Sequence, residues 1–333
     1  MPDSSLGLLI FIVVLAVGFG VVNGFNDAAN AIAASIGSRS ISPRNAIIIA
    51  GVFNFAGAVT GLAVARTIGK GILAPEVISY LTVISGLATV IIWGTVATYW
   101  GLPVSITHSF VAGLAAAGVA VAGMGAIQWG VMQRVLTSVV AAPVSGFIFG
   151  FILMAILYWL FRRSAPASIQ TIFSRLQWLT TAFLSYSHGK NDGQMPIGVI
   201  TMAMVIYTGQ TTLWDNVPWW IIIVSALAIS SGTAVGGWRV IKTIGMKVTN
   251  LRPVNAFASN LSAAGVIEVA SLLGIPVSTT HCASASIMGI GATRRFSAVR
   301  WGVAGNIIAA WVLTFPICGG LGYLFARLLK LIF

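Results

Sequence analysis

Two short polar segments with nearly the same residue order lie between apolar stretches of the chain. Residues 102–108 read Leu-Pro-Val-Ser-Ile-Thr-His and residues 275–281 read Ile-Pro-Val-Ser-Thr-Thr-His, each preceded by a glycine. A lipid bilayer offers no hydrogen-bond partner to a broken backbone, so such segments must line a cavity or be buried in protein. Because proline suits the first turn of a helix and serine caps its free amides, each segment predicts the amino end of a short helix.

The amino ends of these predicted helices would favour an anion, because they concentrate free N–H groups and partial positive charge. Two such ends facing each other, with their serine and threonine hydroxyls, would bind an anion without any arginine. The alternative is structural, with Ser, Thr and Pro only shaping kinks in membrane helices. His108 and His281 end the two segments. They could be interior residues that orient the loops, or they could transfer protons or contact the anion.

Acidic residues that follow asparagine stand in both halves of the chain, at Asp27 and Asp192. A carboxylate within a membrane span costs at least about 2.5 kcal/mol, so it needs a partner or a function. If the first segment is helical, one face carries a carboxylate and three amides, from Asn23, Asn26, Asp27 and Asn30. Such a face supplies the hard oxygens that a small cation prefers. The alternative is a polar contact between helices.

The other acidic residues have different surroundings. Asn191 and Asp192 repeat the Asn-Asp pair in the second half, where the adjacent Lys190 could neutralise Asp192. Glu268 is a third acid in an apolar stretch. Because a carboxylate in a membrane span costs free energy, Glu268 also needs a partner or a cavity. The remaining acids lie at the ends of apolar segments and are expected at the membrane interface: Asp3, Glu76 and Asp215.

The composition indicates which elements position these residues. Of 333 residues, 58% are hydrophobic and 7% are charged, with a mean hydropathy of +0.97. A soluble chain of this length could not bury so much apolar surface, and disorder requires low hydrophobicity. The net charge of +12 comes from basic clusters between apolar stretches, a pattern typical of cytoplasmic anchors rather than of nucleic-acid binding. We therefore expect an all-α, multi-pass protein of the plasma or inner membrane, surrounded by lipid.

Helices that cross the membrane need about 20 residues. Eight apolar stretches reach that length, near residues 6–25, 45–65, 77–98, 135–160, 193–213, 217–238, 254–274 and 302–329. Shorter stretches lie near residues 109–123, 176–187 and 282–292. The sequence thus predicts about 10–12 transmembrane helices and half-helices, with re-entrant hairpins at the two polar segments.

The two kinds of motif recur in the same order, which indicates an internal duplication. We expect a first repeat at residues 1–161, a basic cytoplasmic linker at 162–175 and a second repeat at 176–333. The repeats would be inverted if an odd number of spans separates them. Duplicated halves with broken helices that meet at the bilayer midplane are typical of secondary transporters.

These residues resemble the inorganic phosphate transporter (PiT) family. The motifs are GFNDAANA at residues 24–31, HGKNDGQ at 188–194 and PVSTTHC at 276–282, and the resemblance covers nearly the whole chain. In that family the acidic segments and the hairpins form the phosphate and coupling-ion sites of an inverted-repeat transporter. Some members couple phosphate to sodium; others couple it to protons and carry metal–phosphate complexes.

The resemblance implies a role for each matching residue. Phosphate contacts would come from Ser105, Ile106, Thr107, Ser278, Thr279 and Thr280. Sodium contacts would come from Asn23, Asn26, Asp27, Asn30, Asn191 and Asp192, and coupling or gating from Glu268, His108 and His281. Animal members carry a glutamate where Asn54 stands, which leaves the number of coupled cations and any proton linkage open.

We therefore expect a secondary importer of inorganic phosphate with sodium as coupling ion, alternating access around a midplane site, no organic cofactor and a homodimeric assembly. The alternatives within this class are proton-coupled symport of phosphate or metal–phosphate, and a sulfate permease. An intramembrane hydrolase would need a nucleophile elbow or a metalloprotease motif, and the sequence carries neither. Intramembrane acids would oppose a purely anionic channel. An enzyme is not expected.

Overall fold

The computed structural model describes residues 5–332, except for the Ala28 side chain, and these residues form a bundle of α-helices. This part of the chain contains no β-strand, only an isolated bridge between Leu73 and Ile127. The helices are α1 (Leu6–Gly37), α2 (Pro43–Ala58), α3 (Ala63–Lys70), α4 (Tyr80–Trp100), α5 (Ile106–Ala122), α6 (Trp129–Leu160), α7 (Pro166–Asp192), α8 (Gln194–Thr208), α9 (Trp219–Val235), α10 (Trp238–Lys242), α11 (Pro253–Leu272), α12 (Thr279–Arg294) and α13 (Trp301–Leu329). The predicted all-α fold is confirmed.

Several helices are long and apolar enough to cross a membrane. Among the described residues there are five, namely α1, α4, α6, α13 and α5 with the short turn after it. Two bent pairs raise the number to seven: α2 with α3, bent by 70°, and α9 with the helical residues 238–247, bent by 62°. The stretches expected near 45–65 and 217–238 therefore belong to helix pairs that bend sharply at a break. Gly61 and Gly236 lie at the breaks with positive φ values of 97° and 68°, which glycine adopts without a steric penalty.

Residues 162–175, expected as a linker, are largely helical. Pro166 occupies the first turn of α7, which runs unbroken for 27 residues to Asp192. The stretch near 176–187 is the middle of this helix. Its buried hydroxyl and amide side chains, among them Gln177 and Thr181, lower its hydropathy and conceal its length. Glu76 and Asp215 are exposed between helices, whereas Asp3 lies outside the described residues.

The two halves exchange packing partners. The helix after the first polar segment, α5, packs against α13 at the end of the chain, and α12 packs in the same way against α6. Similarly, α1 packs against α9 and α7 packs against α2. Each of these contacts joins one half to the other. This arrangement brings the acid-bearing helices α1 and α7 to the centre, beside the two hairpins α4–α5 and α11–α12.

Glycines allow the acid-bearing helices to touch their neighbours backbone to backbone. A Cβ on Gly24 would lie 2.0 Å from the carbonyl oxygen of Ile229, and a Cβ on Gly189 would lie 2.1 Å from that of Asn54. Each glycine stands three residues before an aspartate on the same helix. The closest helix contacts therefore lie one turn away from the acids, as small residues permit in membrane bundles.

We expect Gly24→Ala to lower the free energy of unfolding by at least about 1–3 kcal/mol, because the added methyl group forces α1 away from α9. The matched control is Gly265→Ala in α11, where an added Cβ meets nothing within 4 Å. That change should instead stabilise the helix by about 0.5–1 kcal/mol. Reversible unfolding in sodium dodecyl sulfate measures both, and equal effects of the two changes would contradict the packing described here.

Candidate functional site

The two polar segments begin helices, and their tips touch. The Oγ atoms of Ser105 and Ser278 each accept a hydrogen bond from the backbone N–H of the histidine three residues later, both at 3.1 Å. Each preceding helix is followed by a glycine with positive φ, Gly101 (71°) or Gly274 (67°). The Thr280 hydroxyl lies 3.0 Å from the carbonyl oxygen of Val104 in the other hairpin. The amino ends of α5 and α12 therefore meet, as the sequence predicts.

Two consecutive threonines at the start of α12 reach the acids of both halves. The Thr280 hydroxyl lies 2.9 Å from Asp27 Oδ1 on α1, and the Thr279 hydroxyl donates to Asp192 Oδ2 on α7 at 3.0 Å. The Asn30 amide donates to the Thr280 hydroxyl at 2.7 Å. All of these side chains are buried. The second hairpin thus joins the two acid-bearing segments that the sequence analysis singled out.

The first hairpin makes fewer polar contacts at this point. The Thr107 hydroxyl donates to Met195 Sδ at 3.4 Å and does not bond to either acid. Ile106 is buried and packs within the apolar core. The two hairpins are therefore unequal, and the second provides the hydroxyls that contact the carboxylates.

The acids of the two halves converge on one buried point together with a histidine. One ligand atom each of Asp27, His188 and Asp192 lies within 4.8 Å of the other two. Carboxylates this close in a buried site repel each other unless a cation or a proton lies between them. His188, one turn before Asp192 on α7, contributes its Nε2 at 3.2 Å from Asp192 Oδ2.

Three asparagines of α1 present free carbonyl oxygens to this region. Among the described residues, no group hydrogen-bonds to Oδ1 of Asn23, Asn26 or Asn30, although all three side chains are buried. Their amide nitrogens are engaged: that of Asn26 donates to the Thr98 hydroxyl at 2.5 Å, and that of Asn23 to the Asp192 carbonyl at 3.4 Å. Unpartnered buried oxygens are unusual and are the ligands that hard cations prefer. These three residues therefore carry oxygens of the kind that the sequence analysis expects at a cation site.

A chain of hydrogen bonds orients the ring of His188. The Thr233 hydroxyl donates to the Ile229 carbonyl at 2.9 Å, so its oxygen accepts the amide N–H of Asn54, also at 2.9 Å. The Asn54 carbonyl oxygen then faces His188 Nδ1 at 2.8 Å. Nδ1 must carry the hydrogen of this contact, which leaves Nε2 directed towards Asp192.

The two hairpin histidines contact each other rather than the acids. The rings of His108 and His281 lie 5.0 Å apart, edge to face. Both also stack on aromatic residues of α13: His281 on Trp311 at 4.0 Å and His108 on Phe315 at 5.4 Å. Their position is that of interior residues that hold the hairpins together.

Lys190 pairs with Glu268 and not with Asp192. Its ammonium group contacts Glu268 Oε1, and the Ser187 hydroxyl donates to Glu268 Oε2 at 3.3 Å. The sequence-based suggestion that Lys190 neutralises Asp192 is therefore wrong, because the lysine projects from another side of α7. The expectation that Glu268 needs a partner holds, and the ion pair connects α7 to α11.

This ion pair provides a test of how firmly α7 is held to α11. We expect Lys190→Met and Glu268→Gln each to destabilise the protein, and the double variant to recover part of the loss, with a coupling free energy of about 0.5–3 kcal/mol. The same detergent unfolding titration measures the four proteins of this cycle. Strictly additive effects would show that the pair contributes nothing.

The sequence analysis missed some polar residues of the site. Thr98 and Ser271 hold asparagines of the two acidic segments, and Ser271 Oγ lies 3.0 Å from the Asn191 amide. His188 begins the HGKNDGQ motif and was given no role, although its position one turn before Asp192 on the same helix places it on the same face. The Gln194 side chain accepts hydrogen bonds from the first amides of α3 at 2.9 and 3.2 Å.

Comparison with known proteins agrees with this arrangement. The model of the PHO4 phosphate transporter family matches residues 23–322. The chain belongs to the phosphate transporter family. It is 39% identical, over 99% of its length and 100% of the relative's, to a protein of Bacillus subtilis named a probable low-affinity inorganic phosphate transporter. A Rhizobium meliloti protein of the same name is 38% identical over 94% of this chain and 95% of its own.

A solved structure of the family has the same fold. The structure, entitled the sodium-dependent phosphate transporter, superimposes with a TM-score of 0.88 at 26% identity and covers 98% of this chain and 100% of that one. The family resemblance predicted from the three motifs is thus confirmed. The chain is a multi-pass membrane transporter of inorganic phosphate and not an enzyme.

Proposed function

We propose that this transporter imports phosphate together with sodium by alternating access at the site where the two hairpins meet the two acidic segments. The observation that carries the proposal is the convergence of Asp27 and Asp192, one from each half, on the hydroxyls of Thr279 and Thr280. Buried carboxylates beside an anion-binding helix end would repel phosphate. Cations at the carboxylates remove that repulsion and couple the two ligands through direct attraction at low dielectric.

The cation ligands are the oxygens of the acidic segments. Asp27 supplies a carboxylate, and Asn23, Asn26 and Asn30 supply buried carbonyl oxygens without another hydrogen-bond partner in the described chain. Asp192 supplies the corresponding carboxylate of the second half, and the buried Asn191 stands beside it in the chain. Oxygen ligands suit a hard cation, and sodium is the ion we propose because the structural neighbour at 26% identity is named sodium-dependent.

The phosphate ligands are the amino ends of α5 and α12. Backbone N–H groups and the hydroxyls of Ser105, Thr107, Ser278 and Thr279 would contact the phosphate oxygens, and Thr280 would lie between phosphate and Asp27. Because the hydroxyl of Thr280 carries one hydrogen, it can donate either to Asp27 or to another acceptor. Occupancy of Asp27 by a cation would release that hydrogen for phosphate.

The two halves are proposed to be inverted repeats that rock about this site. The exchanged packing supports this: α5 with α13 mirrors α12 with α6, and α1 with α9 mirrors α7 with α2. The same holds for the glycine contacts one turn before each aspartate. In such transporters one bundle moves against the other while the central site stays in place.

A second candidate function is symport of a metal–phosphate complex, and one observation favours it. His188 Nε2 shares the buried point with both carboxylates. Imidazole nitrogen is a ligand for zinc, cobalt and nickel rather than for sodium. A divalent ion bound there would be cargo that enters with the phosphate.

The experiment measures phosphate uptake into proteoliposomes under an imposed sodium gradient, an imposed proton gradient, or no gradient. Each condition is repeated with zinc added, and again with excess sulfate as a competitor. Uptake driven by the sodium gradient alone, and resistant to sulfate, is expected. A dependence on the proton gradient and on zinc would favour the metal–phosphate function. Uptake that no gradient drives, or that sulfate suppresses fully, would contradict phosphate symport.

A further inference from the structure

A groove lies behind the second hairpin, on the side away from the acids. It has a volume of about 470 Å³, within the range of about 300–1,000 Å³ typical of pockets that hold drug-sized ligands. Its walls are α6 and α11, and its floor is formed by Ile275 and Val277 of the hairpin loop. The lining is predominantly apolar, with Arg134 at the first turns of α6.

The two halves differ at one pair of positions beside the hairpins. Trp311 of α13 donates its indole N–H to the carbonyl of Pro103 in the first hairpin at 3.1 Å. At the corresponding place in the second hairpin, the Ser138 hydroxyl of α6 lies 3.4 Å from the Pro276 carbonyl and donates to the Val135 carbonyl of its own helix at 2.7 Å. Trp311 and Ser138 each stand five residues before a proline inside their helix. Ser138 has the smaller side chain and lines the groove, whereas the Trp311 indole is buried and stacks on His281.

The surroundings of the groove are those of a lipid-facing surface. Val269 and Leu273 on its α11 wall are 59% and 67% exposed, and Val140 on the neighbouring face of α6 is 64% exposed. Because α6 is long and apolar enough to cross a membrane, its exposed apolar side chains face hydrocarbon. A chain of methylene groups matches this lining.

Arg134 gives the mouth of the groove a positive charge. It is exposed, its Nε donates to the Gly130 carbonyl of its own helix at 3.4 Å, and no carboxylate pairs with it in the described part of the chain. Its position in the second turn of α6 is near the membrane edge, where lipid headgroups lie. A guanidinium group binds phosphate oxygens well because its N–H donors match their geometry.

We propose that this groove binds an anionic phospholipid, with the headgroup phosphate on Arg134 and an acyl chain between α6 and α11. The acyl chain would lie against Ile275 and Val277, next to the cap residue Ser278. The lipid would thus pack against the loop of the second hairpin and support it.

Native mass spectrometry of the protein, purified from vesicles with equal amounts of phosphatidylglycerol and phosphatidylcholine, tests this. The wild type should retain phosphatidylglycerol preferentially. Arg134→Gln should reduce that preference about fivefold, the equivalent of the ~1 kcal/mol that one basic residue gains near an anionic lipid surface. Ser138→Trp should fill the groove and abolish retention of both lipids.

The controls are an exposed arginine and an exposed position outside the groove. Arg327→Gln on α13 and Val140→Trp on α6 should both retain lipid like the wild type. Unchanged preference in Arg134→Gln, which is exposed and should fold normally, would overturn the proposal. The proposal would also be overturned if the wild type formed dimers, and Ser138→Trp abolished them but left lipid retention unchanged. The groove would then bind a second copy of the chain.

Discussion

Replacing Asp27 with asparagine is expected to reduce sodium-driven phosphate uptake by at least about 30-fold. The loss of one charge from a buried, hydrogen-bonded group of charges typically costs about 2–5 kcal/mol. Asp27 is buried, contacts the Thr280 hydroxyl at 2.9 Å and shares its surroundings with Asp192. Uptake into proteoliposomes as a function of sodium concentration measures the effect.

The matched variants are Asp192→Asn in the other half and Asp215→Asn, which changes an exposed aspartate between helices. The first should lose uptake to a similar degree because both halves supply a carboxylate, and the second should transport normally. If Asp27→Asn kept both its rate and its sodium dependence, Asp27 would not be a cation ligand.

Replacing Thr280 with valine should raise the apparent KM for phosphate about tenfold or more. Valine keeps the branched shape of threonine but removes the hydroxyl that joins Asp27, Asn30 and the first hairpin. A hydrogen bond to a charged group contributes about 1.5–3 kcal/mol, which corresponds to this change in affinity. Initial rates of uptake over a range of phosphate concentrations provide the KM.

Thr280→Ser is the control for this prediction, since it keeps the hydroxyl and should restore most of the affinity. Thr107→Val tests the inequality of the hairpins. Because Thr107 contacts Met195 Sδ and neither acid, its valine variant should raise the KM less than Thr280→Val does. If Thr280→Val had the same KM for phosphate as the wild type, the segment at residues 275–281 would have only a structural role.

The sequence predicted the fold class better than the helix boundaries. Composition alone excluded a soluble fold, and the cost of a charge in lipid singled out Asp27, Asp192 and Glu268. The repeated segments with Pro and Ser indicated two helix starts, and both serines cap helices as expected. These features follow from local chemistry, which a single sequence contains.

The remaining features depend on contacts between distant parts of the chain. Hydropathy could not show that α7 is one helix, because its polar face is buried against other helices rather than exposed to lipid. Neither could neighbouring positions show that Lys190 pairs with Glu268, 78 residues away. The relay from Thr233 through Asn54 to His188 joins three helices, so no spacing along the chain predicts it.

The central claim is that sodium and phosphate share one site, and equilibrium binding tests it most directly. Binding of radiolabelled phosphate to the purified protein should be measured at increasing sodium, with potassium keeping the ionic strength constant. The account predicts that sodium lowers the Kd for phosphate by at least about fivefold, that phosphate lowers the Kd for sodium by the same factor, and that Asp27→Asn removes both effects. A Kd for phosphate that is the same in sodium and in potassium would contradict it.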